Sequence, residues 1–339
     1  MMMSDDAPNI DVHWHHVPQA LVDQILAGRV PVGGTLDQDG EMPAITVPWG
    51  FRLRFQPRLL DIGEALAAMD AAGLDVVAPT LAPPLRQYDA PVEDATSFCR
   101  AANDAFAEVQ ELSSGRMRPL ADIPLQDPDA AVAELKRAVG ELGLAGVGIG
   151  TNVNGVNLGD ERFRPFWRAV AEEDVFVFLH PETVMGAKDR LCDHELENFV
   201  GFPVDTAVAA ASLIFDGVYE EVGPLKTCFA HGGGAFPYLI SRWQHGFVAR
   251  LRPRGSNIRE PYEYLESMYC DSLTHGDAQL RHLVDLVGAD HVMLGGDYPF
   301  DMGDPQPVET MRRAITDEQD RSLIAGATAA RLLGIGTRV

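Results

Sequence analysis

An α/β chain closed into a (β/α)8 (TIM) barrel is the architecture this sequence predicts, and three observations predict it. Short apolar, β-rich runs recur eight times along the chain. Most are followed by a helical pattern, so the sheet they build is parallel. The length, 339 residues, admits either two average domains or one large barrel of about 250 residues with insertions. Eight βα units favour the barrel over an open doubly wound sheet.

The strand runs cover 9–12, 74–78, 118–125, 146–151, 175–180, 226–231, 268–273 and 291–297; the first leads directly into His13-Trp14-His15. Helices are expected over 61–72, 92–113, 128–142, 162–173, 235–250 and 276–287, and a C-terminal helical stretch over 316–333 packs outside. Two segments exceed a minimal barrel. Residues 28–56 are rich in Gly and Pro with short β-like stretches, and are expected to form a small inserted flap after strand 1. Residues 184–224 are long enough for an extra helical segment of two helices after strand 5.

The chain carries 50 acidic and 27 basic residues, a net charge of −23. That balance argues against nucleic acid or an anionic membrane as partner, because both reward clustered Lys and Arg. It leaves an anionic small molecule open, since a site can be locally positive inside an acidic shell. The start, MMMSDDAPNI, has the pattern of no secretory signal, and no run approaches about 18 uninterrupted apolar residues, so no transmembrane helix is expected. Cys99, Cys192, Cys228 and Cys270 are widely spaced, without a CxxC pair. That spacing suggests reduced thiols in a cytoplasmic protein rather than disulfides or a thiolate zinc site.

The chemistry gathers at strand ends. His13 and His15 are two apart, and in an extended strand such residues share a face, so two imidazoles can converge on one metal. Alone, such a pair also reads as an exposed loop motif. His180 ends the strand-5 run, His231 the strand-6 run and Asp297 the strand-8 run. In a barrel these ends meet at one face. A buried core histidine explains one such residue, but not five coincident ones, so a mononuclear metal site is expected. Asp271, ending strand 7, is placed to hold His231 or a water by a hydrogen bond; Asp11 is read as structural. Gly232-Gly233-Gly234 lacks the GK[ST] ending of a phosphate loop and reads as a tight turn. His16 alternates to the other face. His194, His245, His275, His282 and His291 fall on helices, at their edges or at a strand start, and are set aside.

The stretches IDVHWHHVP, FRLRFQPRLLDIGEALAAMDAAGLDV, PLADIPLQDPDAAVAEL, FLHPETVMG, CFAHGGGAFPYLISRW, YCDSL and HVMLGGDYPFDMG resemble the amidohydrolase superfamily, and within it the aminocarboxymuconate-semialdehyde decarboxylase family. They follow the family's order over nearly the whole chain. The resemblance implies a single barrel domain over 1–339. It implies His13, His15, His180 and Asp297 as ligands of one Zn²⁺, or alternatively Mn²⁺, per subunit, with Asp297 catalytic as well as ligating. His231 matches the catalytic histidine, and a neutral imidazole beside a metal and its water can take a proton near pH 7. Arg52 matches an arginine that contacts a substrate carboxylate. Arg242 lies eleven residues after His231, a helical rise of about 16 Å; the resemblance places it in the partner's site of a homodimer. Each arginine also has an ordinary reading as a solvated surface charge.

The implied activity is metal-dependent, nonoxidative decarboxylation of an aromatic or muconate-type carboxylic acid, releasing carbon dioxide. Two routes are open: addition of hydroxide to an activated C=C before carbon dioxide leaves, or chelation of the substrate followed by protonation of a ring carbon. The alternative on the same site is a hydrolase or hydratase of a small amide, imide, lactone or unsaturated diacid. A noncatalytic metal-binding scaffold is the third reading. Two departures bear on the substrate. Glu182 stands where the family typically carries an aromatic residue, and is read as substrate-binding, while the flap has no counterpart of a lysine found in close relatives.

Overall fold

A computed structural model of the chain describes residues 8–40, 42–184, 190–252, 255 and 257–336. Glu41 of the expected flap and residues 185–189 of the extra helical segment lie outside them. Eight parallel strands form the wall of a barrel: β1 Ile10–His15, β2 Val76–Thr80, β3 Leu120–Ala121, β4 Gly146–Gly150, β5 Phe176–His180, β6 Lys226–Phe229, β7 Met268–Asp271 and β8 Val292–Met293. Strands β3 to β8 are hydrogen-bonded side by side, as are β1 and β2. Two single bridges close the ring. Val77 pairs with Met117 just before β3, and Asp11 with Leu294 just after β8, where the Val12 amide donates to the Leu294 carbonyl at 2.9 Å.

β3 is shorter than its sequence run. Pro119 and Pro124 flank it and have no N–H to give to a ladder, so only Leu120 and Ala121 pair with β4, opposite Gly146 and Val147. The helices follow the expected positions. Ile62–Ala72 is capped by the Asp61 carboxylate, which accepts from the Glu64 amide; Pro128–Lys136 is capped in the same way by Asp127 and continues as a π-helical turn, Arg137–Glu141. Both caps satisfy amides that have no intrahelical partner.

The two insertions take the places expected of them. Within 28–56, Thr35–Asp39, Met42–Thr46 and Arg52–Arg54 form a three-stranded antiparallel sheet, anchored by buried Ile45, Leu53 and Phe55. After β5, helices Phe202–Phe215 and Val218–Val222 follow a π-helical turn over Glu197–Gly201. The segment Glu197–Phe215 is long and apolar enough to cross a bilayer, but half of it is buried within the fold.

The core has two shells. Side chains such as Val77, Val147, Val177, Leu179 and Phe229 pack outward against the helices. Ile10, Val12, Ala78, Leu120, Phe176, Phe178, Cys228 and Met293 fill the barrel; the end of the C-terminal helical stretch, expected outside, instead plugs its base with Ala329, Ala330, Leu332 and Leu333, whose apolar side chains meet the inward strand residues. Phe178 has no solvent exposure and lies directly under the strand ends, its ring centroid 5.0 Å from that of His13. Phe178→Ala is expected to lower the unfolding free energy by about 3–5 kcal/mol, through lost transfer energy and the void left behind. Urea denaturation should show a reduced midpoint with an unchanged slope.

Candidate metal centre

An irregularity in β1 sets the site. Asp11 pairs with Val77 but Trp14 pairs with Pro79, so β1 spends three steps where β2 spends two. This bulge interrupts the alternation of faces. Ile10 and Val12 point into the barrel core, and so do His13 and His15 beyond the bulge, while Trp14 turns outward to stack on Tyr298. The two imidazoles thereby reach the interior at the C-terminal ends of the strands, where His180 of β5 and Asp297 after β8 meet them.

His13, His15, His180 and Asp297 are all buried and each offers one ligand atom, with these atoms within 4.8 Å of one another. The distal nitrogen of each imidazole is freed because the other is engaged. His13 Nδ1 lies 2.6 Å from Asp271 Oδ2, His15 Nδ1 2.9 Å from Thr80 Oγ1, and His180 Nδ1 2.7 Å from the carbonyl of Pro181. Such partners fix the tautomer that leaves Nε2 as a lone pair. The Nε2 atoms of His13 and His15 lie 3.3 and 3.1 Å from Asp297 Oδ1. All three atoms are buried without a hydrogen bond, because the approach angles are poor although the distances are short. Buried acceptors facing one another are costly unless something positive sits among them, and three imidazoles with one carboxylate are a donor set that Zn²⁺ or Mn²⁺ accepts.

The electrostatics agree. Burial favours a neutral His13, yet Asp297 and Asp271 push it up to about 10. Burial and the neighbouring imidazoles hold His180 well below its usual value, and burial lowers His15 as well. Asp297 stays far below the usual carboxylate range despite its burial, chiefly through the charge of His13 beside it. The cluster therefore attracts a cation, either a proton on His13 or a metal.

His231 stands beside the four. Its ring centroid is 5.0 Å from those of His13 and His180, and its Nε2 lies 3.8 Å from Asp297 Oδ2. It is the most exposed of the five, at 17% of its side chain against 7% for Asp297. Asp271 holds its backbone: Oδ2 accepts from the His231 amide at 2.9 Å and Oδ1 from the Gly232 amide at 2.7 Å. His231 and Gly232 both have positive φ, and the tight turn read from the three glycines is a 3-10 turn over His231–Gly233. Gly295 is needed for proximity: a Cβ there would fall 2.6 Å from Asp271 Cβ and 3.0 Å from His13 Cβ.

A cavity of about 550 Å³, reached two residues beyond His180 at Glu182, is bordered by Trp49 of the flap, Arg86, Tyr88, Asn152, Glu182 and Asp205. Glu182 is buried with its Oε1 2.5 Å from Arg86 Nη1, and Arg86 Nε donates to buried Asp122 Oδ1 at 3.0 Å. Burial raises the pKa of the Glu182 carboxyl, and the Arg86 guanidinium paired with it works against that. Burial also works against charge on Arg86, but Glu182 and Asp122 raise its pKa further.

Arg52 sits on the flap with Nη1 2.6 Å from Asp37 Oδ2 and is part-exposed. Arg242 is exposed on helix Phe236–Ala249. Neither borders the cavity among the described residues. His16, set aside as facing away, is buried, and burial lowers it to about 4. Sequence reasoning missed Arg86, Asp122 and Thr80. Asp122 carried a signal, an acidic residue just after the strand-3 ladder; Arg86, in a loop beyond β2, carried none.

The amidohydrolase family model matches residues 10–335 of the chain. A 2-amino-3-carboxymuconate-6-semialdehyde decarboxylase of Dictyostelium discoideum is 32% identical over 333 residues, covering 96% of this chain and 91% of the relative. A gamma-resorcylate decarboxylase of a Rhizobium species is 32% identical over 304 residues, covering 84% of this chain and 91% of that protein. A crystal structure of a dihydroxybenzoic acid decarboxylase from a Polaromonas species, with bound manganese and the inhibitor 2-nitroresorcinol, superposes with a TM-score of 0.79 at 26% identity, covering 98% of each chain. With a barrel of this topology and a match that runs from its first strand to its last helix, the chain belongs to the amidohydrolase family.

Proposed function

We propose that the protein is a metal-dependent decarboxylase of an aromatic or muconate-type carboxylic acid, releasing carbon dioxide. The observation that carries the reading is the buried cluster of His13, His15, His180 and Asp297 with His231 beside it, in a chain whose similar relatives are named as decarboxylases. The four would hold one divalent ion per subunit, Zn²⁺ or alternatively Mn²⁺. When bound, the ion supplies Lewis acidity toward an oxygen of the substrate or of water.

The chain's own residues do the rest. His231 moves the proton at Nε2, the atom nearest Asp297, and its partial exposure gives it a route to solvent and substrate. Asp271 is a positioning residue, holding the His13 ring and the His231 backbone through one carboxylate. Arg52 is proposed to contact a substrate carboxylate from the flap, whose Trp49 already borders the cavity. Arg242 is proposed to serve the partner's site in a homodimer. In support, the helix bearing it exposes Tyr238, Arg242, His245 and Val248, and Leu251 and Ile258 after it are exposed too; exposed large apolar side chains are common at interfaces. The domain is proposed as one unit over 1–339 with the flap at 28–56, and a cytoplasmic location fits four free cysteines, three of them buried.

Metal content and its pH dependence test the site. Elemental analysis should find about one ion per wild-type chain and a marked loss in the His13→Ala/His15→Ala variant, as a mononuclear site requires. Because His13 alone is raised to about 10, it is protonated at neutral pH before metal enters, and binding releases that proton. Affinity should therefore rise by about tenfold per pH unit below pH 10 and fall on acidification. A pH-independent affinity would mean that His13 is not a ligand.

His231→Ala should keep the metal and lose about 10²–10⁴-fold in turnover, measured as carbon dioxide released without net consumption of water, which also separates decarboxylation from hydrolysis and hydration. Loss of the metal instead would make His231 a ligand.

Mixing inactive Arg242→Ala chains with inactive His231→Ala chains under conditions of subunit exchange should restore up to about a quarter of wild-type activity. Mixed dimers then contain one site with both defects and one with neither. Verified mixed dimers without activity would remove Arg242 from the partner's site.

A further inference from the structure

The cavity bordered by Glu182 has a chemical bias of its own. Arg86 is the one basic side chain among the described residues that border it, and its charge is already matched twice, by Glu182 at Nη1 and by Asp122 at Nε. All three side chains are at least nine-tenths buried. The group therefore carries no spare positive charge toward a ligand, and Asp89 and Asp205 add further carboxylates to the border. Neither oxygen of Glu182 receives a hydrogen bond from a described residue: Arg86 meets Oε1 as an ion contact with poor hydrogen-bond geometry. An unsatisfied buried acceptor at the wall of a binding cavity awaits a donor.

The position is built for this carboxylate. Glu182 follows His180, the last residue of β5, by two residues. Gly150 at the end of β4 lies beside it: a Cβ there would be in ordinary contact with Glu182 Oε1 at 3.4 Å and tight against the Tyr88 ring at 3.1 Å. Trp49, Pro48, Tyr88 and Val208 give the same cavity apolar walls, suited to the face of a flat, unsaturated ring or chain.

We propose that Glu182, backed by Arg86 and Asp122, is a specificity-determining residue that selects acids bearing a hydroxyl or amino donor at the position facing it and excludes acids bearing a second carboxylate there. This rests on the decarboxylase reading above. A donor at that position satisfies the Glu182 acceptor. A carboxylate meets a like charge with Arg86 already spent, and like charges brought together in a desolvated site repel strongly. Such a site rejects an analogue that lacks the matching group far better than it rejects one that differs only in size.

The test uses full-length, metal-loaded protein and pairs of benzoates that differ at one ring position, hydroxyl in one member and carboxylate in the other, taken round the ring. Binding is read by calorimetry and, separately, carbon dioxide release by kcat/KM. Wild type should favour the hydroxyl member by about tenfold or more at one position. Glu182→Gln keeps an acceptor and removes the charge, so that preference should shrink by about tenfold through improved binding of the dicarboxylate, with metal content and circular dichroism unchanged. Should Glu182→Gln fail to fold, Glu182→Asp keeps the charge but withdraws the acceptor: the hydroxyl acid should weaken while the dicarboxylate stays excluded. A wild type without positional preference, or a folded Glu182→Gln that retains every preference, overturns the proposal. The expected binding pattern without carbon dioxide release overturns the decarboxylase reading and leaves the selectivity standing. Absence of binding by every pair overturns both.

Discussion

Everything at the open end of this barrel depends on how one buried carboxylate distributes its hydrogen bonds. Asp271 takes the Nδ1 proton of His13, the amides of His231 and Gly232, and the amide of Leu273. Burial alone would raise its pKa, but the bond to His13 and the nearby positive charge hold it below the usual carboxylate range. It is thus an anion without water, stable only because donors surround it. The same contacts set the His13 tautomer and the backbone from which His231 projects, so two neighbouring imidazoles of the cluster are oriented by one group. Gly295 makes room for this arrangement by lacking the Cβ that would strike Asp271 and His13.

The bulge in β1 is the second constraint. An unbroken strand would place His13 and His15 on the face opposite Ile10 and Val12, putting either the apolar pair or the imidazoles outside the barrel. One extra residue between Asp11 and Trp14 lets both pairs face inward. Asp11 stabilises the kink by accepting from the His13 amide at 2.8 Å, and burial pushes its carboxyl up to about 7. The structural reading of Asp11 in the sequence has here its physical content.

How much of this was legible in the sequence follows from the range of each signal. Strand ends are local: His180, His231, Asp271 and Asp297 each close an apolar run, and their meeting follows from barrel topology alone. The spacing of His13 and His15 puts them on one face of a strand, and the bulge chooses which face, which spacing cannot express. β3 was overread because its apolar run includes two prolines that a ladder cannot use. The triad of Arg86, Asp122 and Glu182 was invisible as a unit, since its members come from three separate loops and strand ends and only the closed barrel joins them. Arg52 and Arg242 show the converse limit. A residue on a flap or a surface helix can match a motif in sequence while its working position depends on closure or on a second chain.

Charge ties these features together. The chain carries −23 overall, and its described cavity adds carboxylates around an arginine already neutralised by two of them. An anionic substrate therefore approaches against an unfavourable field. Within the proposed reading, the attraction that offsets this field comes from the cluster of histidines when it holds a cation, together with the arginines proposed to reach the substrate, Arg52 and Arg242. In that reading the Glu182 side is left for uncharged donors. The orientation of the substrate, in the same reading, follows from the distribution of charge, attractive at His13, His15 and His180 and acceptor-rich at Glu182, rather than from shape alone.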